Sequence, residues 1–164
     1  MRISLKKGSL IFLILILIIG ICTSVKFYLN RQKPNNFYYT NSLAKNLTLS
    51  NKYDVKILDT NFYKTESLSE DNIEMVKNFL KELRKPNFVP KPVSLNSKPK
   101  YKMFFTFPES QKKFVVNIYD SEYISIFPWD GEFQMDYINM KNIPVRYNLY
   151  SISKNAFIKE PKFD

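Results

Sequence analysis

The chain contains no histidine, one cysteine and three glycines among 164 residues. Without histidine it lacks the commonest general base, the usual imidazole metal ligand and any Ser-His or Cys-His nucleophile pair. A single thiol, Cys22, excludes an intrachain disulfide framework and a thiolate metal cage. The three glycines, Gly8, Gly20 and Gly131, leave no Gly-rich phosphate loop, and neither GxGxxG nor GxxxxGK occurs. Oxygen ligands remain available, yet no Asp-x-Asp-x-Asp-Gly calcium loop is present. The expectation is a protein with no catalytic residue, no metal site and no cofactor.

What the sequence does have is basic charge and one long apolar run. Lys and Arg number 25 against 15 Asp and Glu, a net charge of +10. The first 33 residues hold Arg2, Lys6, Lys7, Lys26, Arg31 and Lys33 and no acid; without those six, 19 basic face 15 acidic groups, a formal +4. A nucleic-acid binder needs a basic face with a recognisable motif, and neither is found, so no nucleic-acid partner is expected. The excess instead flanks Leu10 to Val25, an uncharged stretch dominated by Leu and Ile. With Gly8 and Ser9 it runs for about 18 residues, or about 27 Å as a helix, near the lower limit for crossing a bilayer. It carries no polar stripe of the kind a buried soluble helix shows.

Three membrane readings follow. An uncleaved signal-anchor is the working one, because the run exceeds the apolar core of an ordinary signal peptide. Cleavage after Ser24 would release a secreted domain. Acylation at Cys22 would make a lipoprotein, although Ile21 stands where a small residue is wanted. Basic residues flank the run almost equally, and the short leader places the N-terminus in the cytoplasm. The expected organisation is a transmembrane segment over 1–30, a polar tether over 31–52 and an α+β extracytoplasmic domain over 53–160. Expected localisation is the cell membrane, single-pass, with the C-terminal domain outside. Only Ala44 and Ala156 are alanines, while Lys, Asn, Ile, Tyr and Phe abound, a usage associated with AT-rich bacterial genomes.

Within the domain, Val55 and Ile57 alternate in a strand over Tyr53 to Asp59. Ser69 is a good helix cap, followed by Glu70 and Asp71 and then by Ile73, Val76, Phe79, Leu80 and Leu83 at helical spacing. Lys85 to Lys100 holds four prolines and reads as irregular. Met103, Phe105 and Phe107, then Phe114, Val116 and Ile118, then Tyr123 to Phe127, then Phe133, Met135 and Tyr137 predict a four-strand meander. Pro144 opens a final helix with Val145, Leu149, Ile152 and Ala156 on its apolar stripe. The fold class is α+β: strand, helix, antiparallel four-strand meander, helix, with the helices on one face.

The block from Ser94 to Tyr150 carries a resemblance. Ser94-Leu95-Asn96-Ser97-Lys98-Pro99 precedes the strands at Tyr101–Phe105 and Phe114–Tyr119, and Tyr123 to Phe133 runs through the Pro128-Trp129-Asp130-Gly131 turn. This pattern resembles a family of small membrane- or lipid-anchored bacterial proteins known only as a domain of unknown function. The resemblance implies the fold and lends no activity.

Candidate functional residues cluster at the Trp129 turn. Phe127, Trp129, Asp130 and Phe133, with Tyr137 and neighbouring acids, form a candidate platform for sugar rings or for a partner's basic surface. The bland alternative makes them core and edge residues with solvated acids. Asp130 and Glu132 are a candidate carboxylate pair of a cell-envelope glycosidase, though nothing supplies a cleft. Lys81 to Lys102 bears seven basic residues against Glu82 and could face anionic headgroups or wall polymers. The leading expectation is a non-enzymatic domain binding a protein or envelope component beside the lipid bilayer. The alternatives are a carboxylate-dependent envelope enzyme, or an accessory subunit docked through the helix from Leu10.

Overall fold

Apolar side chains at every second position dictate the central sheet. β1 (Asp54–Asp59) buries Val55 and Ile57, and β4 (Tyr101–Phe107) buries Met103, Phe105 and Phe107. β5 (Lys112–Ile118), β6 (Tyr123–Pro128) and β7 (Asp136–Asn139) add Phe114, Val116, Ile118, Ile124, Ile126 and Ile138. β2 (Lys64–Ser67) and the two-residue β3 (Phe88–Val89) complete a seven-stranded sheet in the order β2-β1-β4-β5-β6-β7-β3. Every neighbouring pair is antiparallel. Three helices, α1 (Tyr38–Leu49), α2 (Glu70–Glu82) and α3 (Leu149–Ala156), share this core through Leu43, Leu47, Val76, Phe79, Leu149 and Ile152. The computed structural model describes residues 10, 12, 14–25, 37–93, 95, 98–129 and 135–158.

The chain divides into two units, residues 1–35 and 36–164. In the first, residues 10, 12 and 14–25 are helical, Cys22 is an exposed free thiol, and the Thr23 hydroxyl donates to the Ile19 carbonyl at 2.9 Å. Among the described residues no helix is long and apolar enough to cross a membrane. The expected single-pass span is therefore unsupported by the described residues.

In the second unit, α2 and the first three strands of the meander form as the sequence predicts. The Ser69 hydroxyl accepts the Asn72 N–H, Glu70 and Asp71 occupy the first turn, and Ile73, Val76 and Phe79 are buried. The expected turn at Asp120 also closes: its carboxylate accepts the N–H groups of Glu122 and Tyr123 at 2.7 and 2.8 Å.

Four expectations are corrected. Residues 38–49, read as part of a tether, form α1, whose Tyr39, Leu43 and Leu47 recur every fourth position and are buried. The polar β2 shows no apolar alternation because it is an edge strand, and β3 lies inside the proline-rich stretch. The last helix begins at Leu149 under an Asn148 cap; Pro144 instead opens a 3₁₀ turn, Val145–Tyr147, which leaves Val145 exposed. In β7 the phase is opposite to the expected one. Asp136 and Ile138 point into the core, while Tyr137 is half-buried. Phe133 and Gly131 lie outside the described residues.

The phase of β7 has a physical reason. Ile57, Met103, Val116 and Ile126 are paired in register across β1, β4, β5 and β6, and Asp136 is the next residue in that row. Its side chain meets the first turn of α1, where Phe37 provides no side-chain cap. Asp136 Oδ2 accepts the Thr40 N–H at 2.8 Å and the Thr40 hydroxyl at 2.9 Å. A carboxylate at a helix N-terminus satisfies orphan amides and matches the helix dipole.

Burial pushes the Asp136 carboxyl above its ordinary value, against the lowering effect of hydrogen bonds from Thr40 and Tyr39. The native state thus holds this proton more tightly than the unfolded chain does. Its contribution to stability is full below the unfolded value and declines as pH rises through the raised native value. Asp136→Asn, which keeps an acceptor, is expected to remove that decline from urea-unfolding curves taken between about pH 4 and pH 7. Asp136→Ala, which strands the Thr40 donors, is expected to cost about 1–3 kcal/mol in the same curves.

Candidate binding site around Trp129

The site is assembled where β4 turns into β5 and where β6 ends. The turn from Pro108 to Gln111 closes with Gln111 at φ 53°, in the left-handed region, and its N–H on the Pro108 carbonyl at 3.3 Å. Ser110 donates its hydroxyl to Asn46 Oδ1 at 2.9 Å, which fastens this turn to α1. Trp129 follows β6 directly, and its N–H donates to the Lys113 carbonyl at 3.1 Å. The indole tilts against Phe104, with ring centroids 5.0 Å apart, and stays 55% exposed.

A cleft opens on either side of this indole. The larger, about 440 Å³, lies between Tyr38, Tyr39 and Ser42 of α1 and the Lys112, Lys113 and Trp129 side. The smaller, about 280 Å³, is lined by Phe104, Thr106 and the Asp54–Lys56 ion pair, whose charges meet at 3.5 Å. Lys113 lines both clefts and forms no ion pair among the described residues. Such a site offers aromatic faces to apolar or sugar CH groups and ammonium groups to an anion.

This differs from the expected platform of aromatics and acids. Phe127 is half-buried in β6 opposite Val115. Asp130, Glu132 and Phe133 lie outside the described residues, so the carboxylate pair has no geometry to report. Asp136 faces the core, and Asp120 sits at the far end of β6, occupied by turn amides. Tyr137 donates to the Met135 sulfur at 3.6 Å, and burial, then Tyr119, raises its phenol above the usual value. Lys112, Lys113, Tyr38 and Tyr39 were not legible as site residues. The two lysines precede the first apolar residue of β5, and the tyrosines stand in the stretch that reads as tether.

The basic run from Lys81 to Lys102 is used piecemeal. Lys81 reaches Glu74 at 3.9 Å, the Arg84 guanidinium donates to the Lys81 carbonyl at 2.9 Å, and Lys98 and Lys100 lie over Tyr63 and Tyr150. Among the described residues no three acidic or thiol side chains gather as a metal site.

Trp129 is the only tryptophan, so emission excited selectively at the indole reads this site alone. The expected spectrum is that of a water-exposed indole open to iodide quenching, with Phe104→Ala increasing the quenching. A blue-shifted, quencher-resistant emission would contradict the geometry.

Comparison with known proteins agrees with this architecture. No curated protein matches the chain. The crystal structure of a candidate lipoprotein from Clostridium perfringens superposes with a TM-score of 0.69 at 28% sequence identity, covering 77% of this chain and 99% of that one. Residues 33–153 match the family model described as Domain of unknown function (DUF4883). That match takes in α1 through most of α3, and with it both walls of the cleft beside Trp129; the chain belongs to this family.

Proposed function

We propose that the chain is a membrane-attached extracytoplasmic domain that binds an anionic envelope glycopolymer beside Trp129, without catalysing a reaction. One observation carries the binding reading: a half-exposed indole borders two clefts that share Lys113, which forms no ion pair among the described residues. Sugar rings stack on Trp129 and Tyr38, and phosphate or carboxylate groups of the polymer meet Lys112 and Lys113. The location is supported by the apolar N-terminal segment and by the likeness to a clostridial protein described as a candidate lipoprotein. The same likeness favours an acyl chain on Cys22 over a membrane-crossing helix as the attachment.

Two experiments test these parts separately. In cells fed a labelled fatty acid, Cys22→Ala is expected to lose the label and to move the tagged protein out of the membrane fraction; full retention in the membrane overturns acylation. For binding, the protein is sedimented with insoluble wall fragments carrying teichoic acid. Trp129→Ala and Lys113→Glu are each expected to weaken co-sedimentation by about tenfold, the scale of an interface hot spot. Unchanged co-sedimentation of both variants sinks the cleft as the binding site.

A further inference from the structure

The end of the sheet opposite Trp129 carries a second exposed aromatic feature. β1 and β2 are joined by Thr60 to Tyr63, and there Phe62 and Tyr63 are 82% and 78% exposed. The turn is built to hold them out. Asp59 Oδ1 accepts the N–H groups of Asn61 and Phe62 at 2.8 and 3.2 Å, and the Thr60 N–H donates to the Lys100 carbonyl at 3.0 Å. Tyr63 has φ 53°, a left-handed conformation that a bulky side chain rarely adopts. Behind the tip, Tyr101 stacks on Phe157 at 6.0 Å and meets Tyr150 edge-on at 5.8 Å, a firm base.

Lysines ring this tip. Lys98 stands 5.7 Å over the Tyr63 ring, and Lys100 stands 5.2 Å over Tyr150. Lys64 lies over Phe157 and is paired with Glu66 at 3.3 Å. The Asp59 carboxylate is turned to the turn amides. Lys98 and Lys100 therefore carry the uncompensated charge, with no ion pair among the described residues. A soluble hairpin gains nothing from a phenylalanine held in water beside a left-handed tyrosine. An apolar tip, a tyrosine beside it and lysines behind it fit an anionic bilayer surface.

We infer that this hairpin is a docking tip for anionic lipid. Phe62 enters the acyl boundary, Tyr63 sits at headgroup depth, and Lys98 and Lys100 meet the lipid phosphates. The inference does not depend on the Trp129 cleft, which lies beyond the other ends of the strands. All of the described core residues belong to residues 36–164, so this unit can be tested without the N-terminal segment.

The test is sedimentation of the chain from residue 36 onward with vesicles of phosphatidylcholine, with and without phosphatidylglycerol. Binding is expected only when phosphatidylglycerol is present, and it should fall as salt rises. Phe62→Ser removes one large apolar contact and is expected to weaken partitioning by about tenfold or more. Lys98→Glu with Lys100→Glu is expected to weaken it and to flatten the salt dependence. Phe62 and both lysines are exposed, so urea midpoints should stay at the wild-type value, and Phe62→Ser should still co-sediment with wall fragments. Wild-type partitioning by Phe62→Ser, or failure of the parent to bind phosphatidylglycerol vesicles, overturns the inference. So does displacement from vesicles by soluble teichoic acid, which would make the tip a polymer site.

Discussion

The contact between Asp136 and Thr40 is the constraint around which the domain is arranged. A carboxylate in an otherwise apolar row has a large desolvation cost unless several donors face it. Here the donors are the amides and hydroxyl at the start of α1, which have no local partner because Phe37 cannot cap them. Each group supplies what the other lacks. The result fixes α1 against the β6–β7 side of the sheet, and Leu43 and Leu47 then complete the core. Placing the start of α1 also sets one wall of the Trp129 cleft, since Tyr38 and Tyr39 directly precede Thr40.

A chain without histidine and with a single thiol builds its surface from aromatics and lysines. The same pairing recurs in several places: Lys77 lies 5.5 Å over Tyr53, Lys98 over Tyr63 and Lys100 over Tyr150. Partly exposed ion pairs such as Lys77–Glu74 add little stability. Ammonium groups held over rings keep their charge available while shielding apolar area. The two ends of the sheet use this chemistry differently. At one, lysines line a concave cleft beside an indole; at the other, they stand behind a convex aromatic tip.

What the sequence showed clearly was whatever is decided locally. Ser69 with the Ile73, Val76 and Phe79 stripe made α2 legible, and alternation from Met103 to Ile126 made three meander strands legible, with a resemblance from Ser94 to Tyr150 that the family match confirms. The rest is decided at a distance. No local cap near Phe37 announces the start of α1, because its cap arrives from residue 136, and only the spacing of Tyr39, Leu43 and Leu47 marks the helix. β2 is polar because an edge strand without a covering layer needs no alternation. Tyr137 looked like the inward residue of β7 because it is the larger apolar surface, yet the inward place belongs to Asp136. Trp129 stood out by its turn, but the lysines beside it become neighbours only once β5 and β6 are paired.

The Thr40–Asp136 link spans 96 residues. Whichever machinery delivers this chain N-terminus first, α1 emerges long before its cap exists, and β1 waits for β4 across α2 and the proline-rich stretch. The meander from β4 to β7 pairs strands that are consecutive in the chain, whereas β1 pairs with β4 across β2, α2 and β3. The first helix of the domain is thus held by a residue four-fifths of the way along the chain, so its place in the fold depends on the C-terminal part being present.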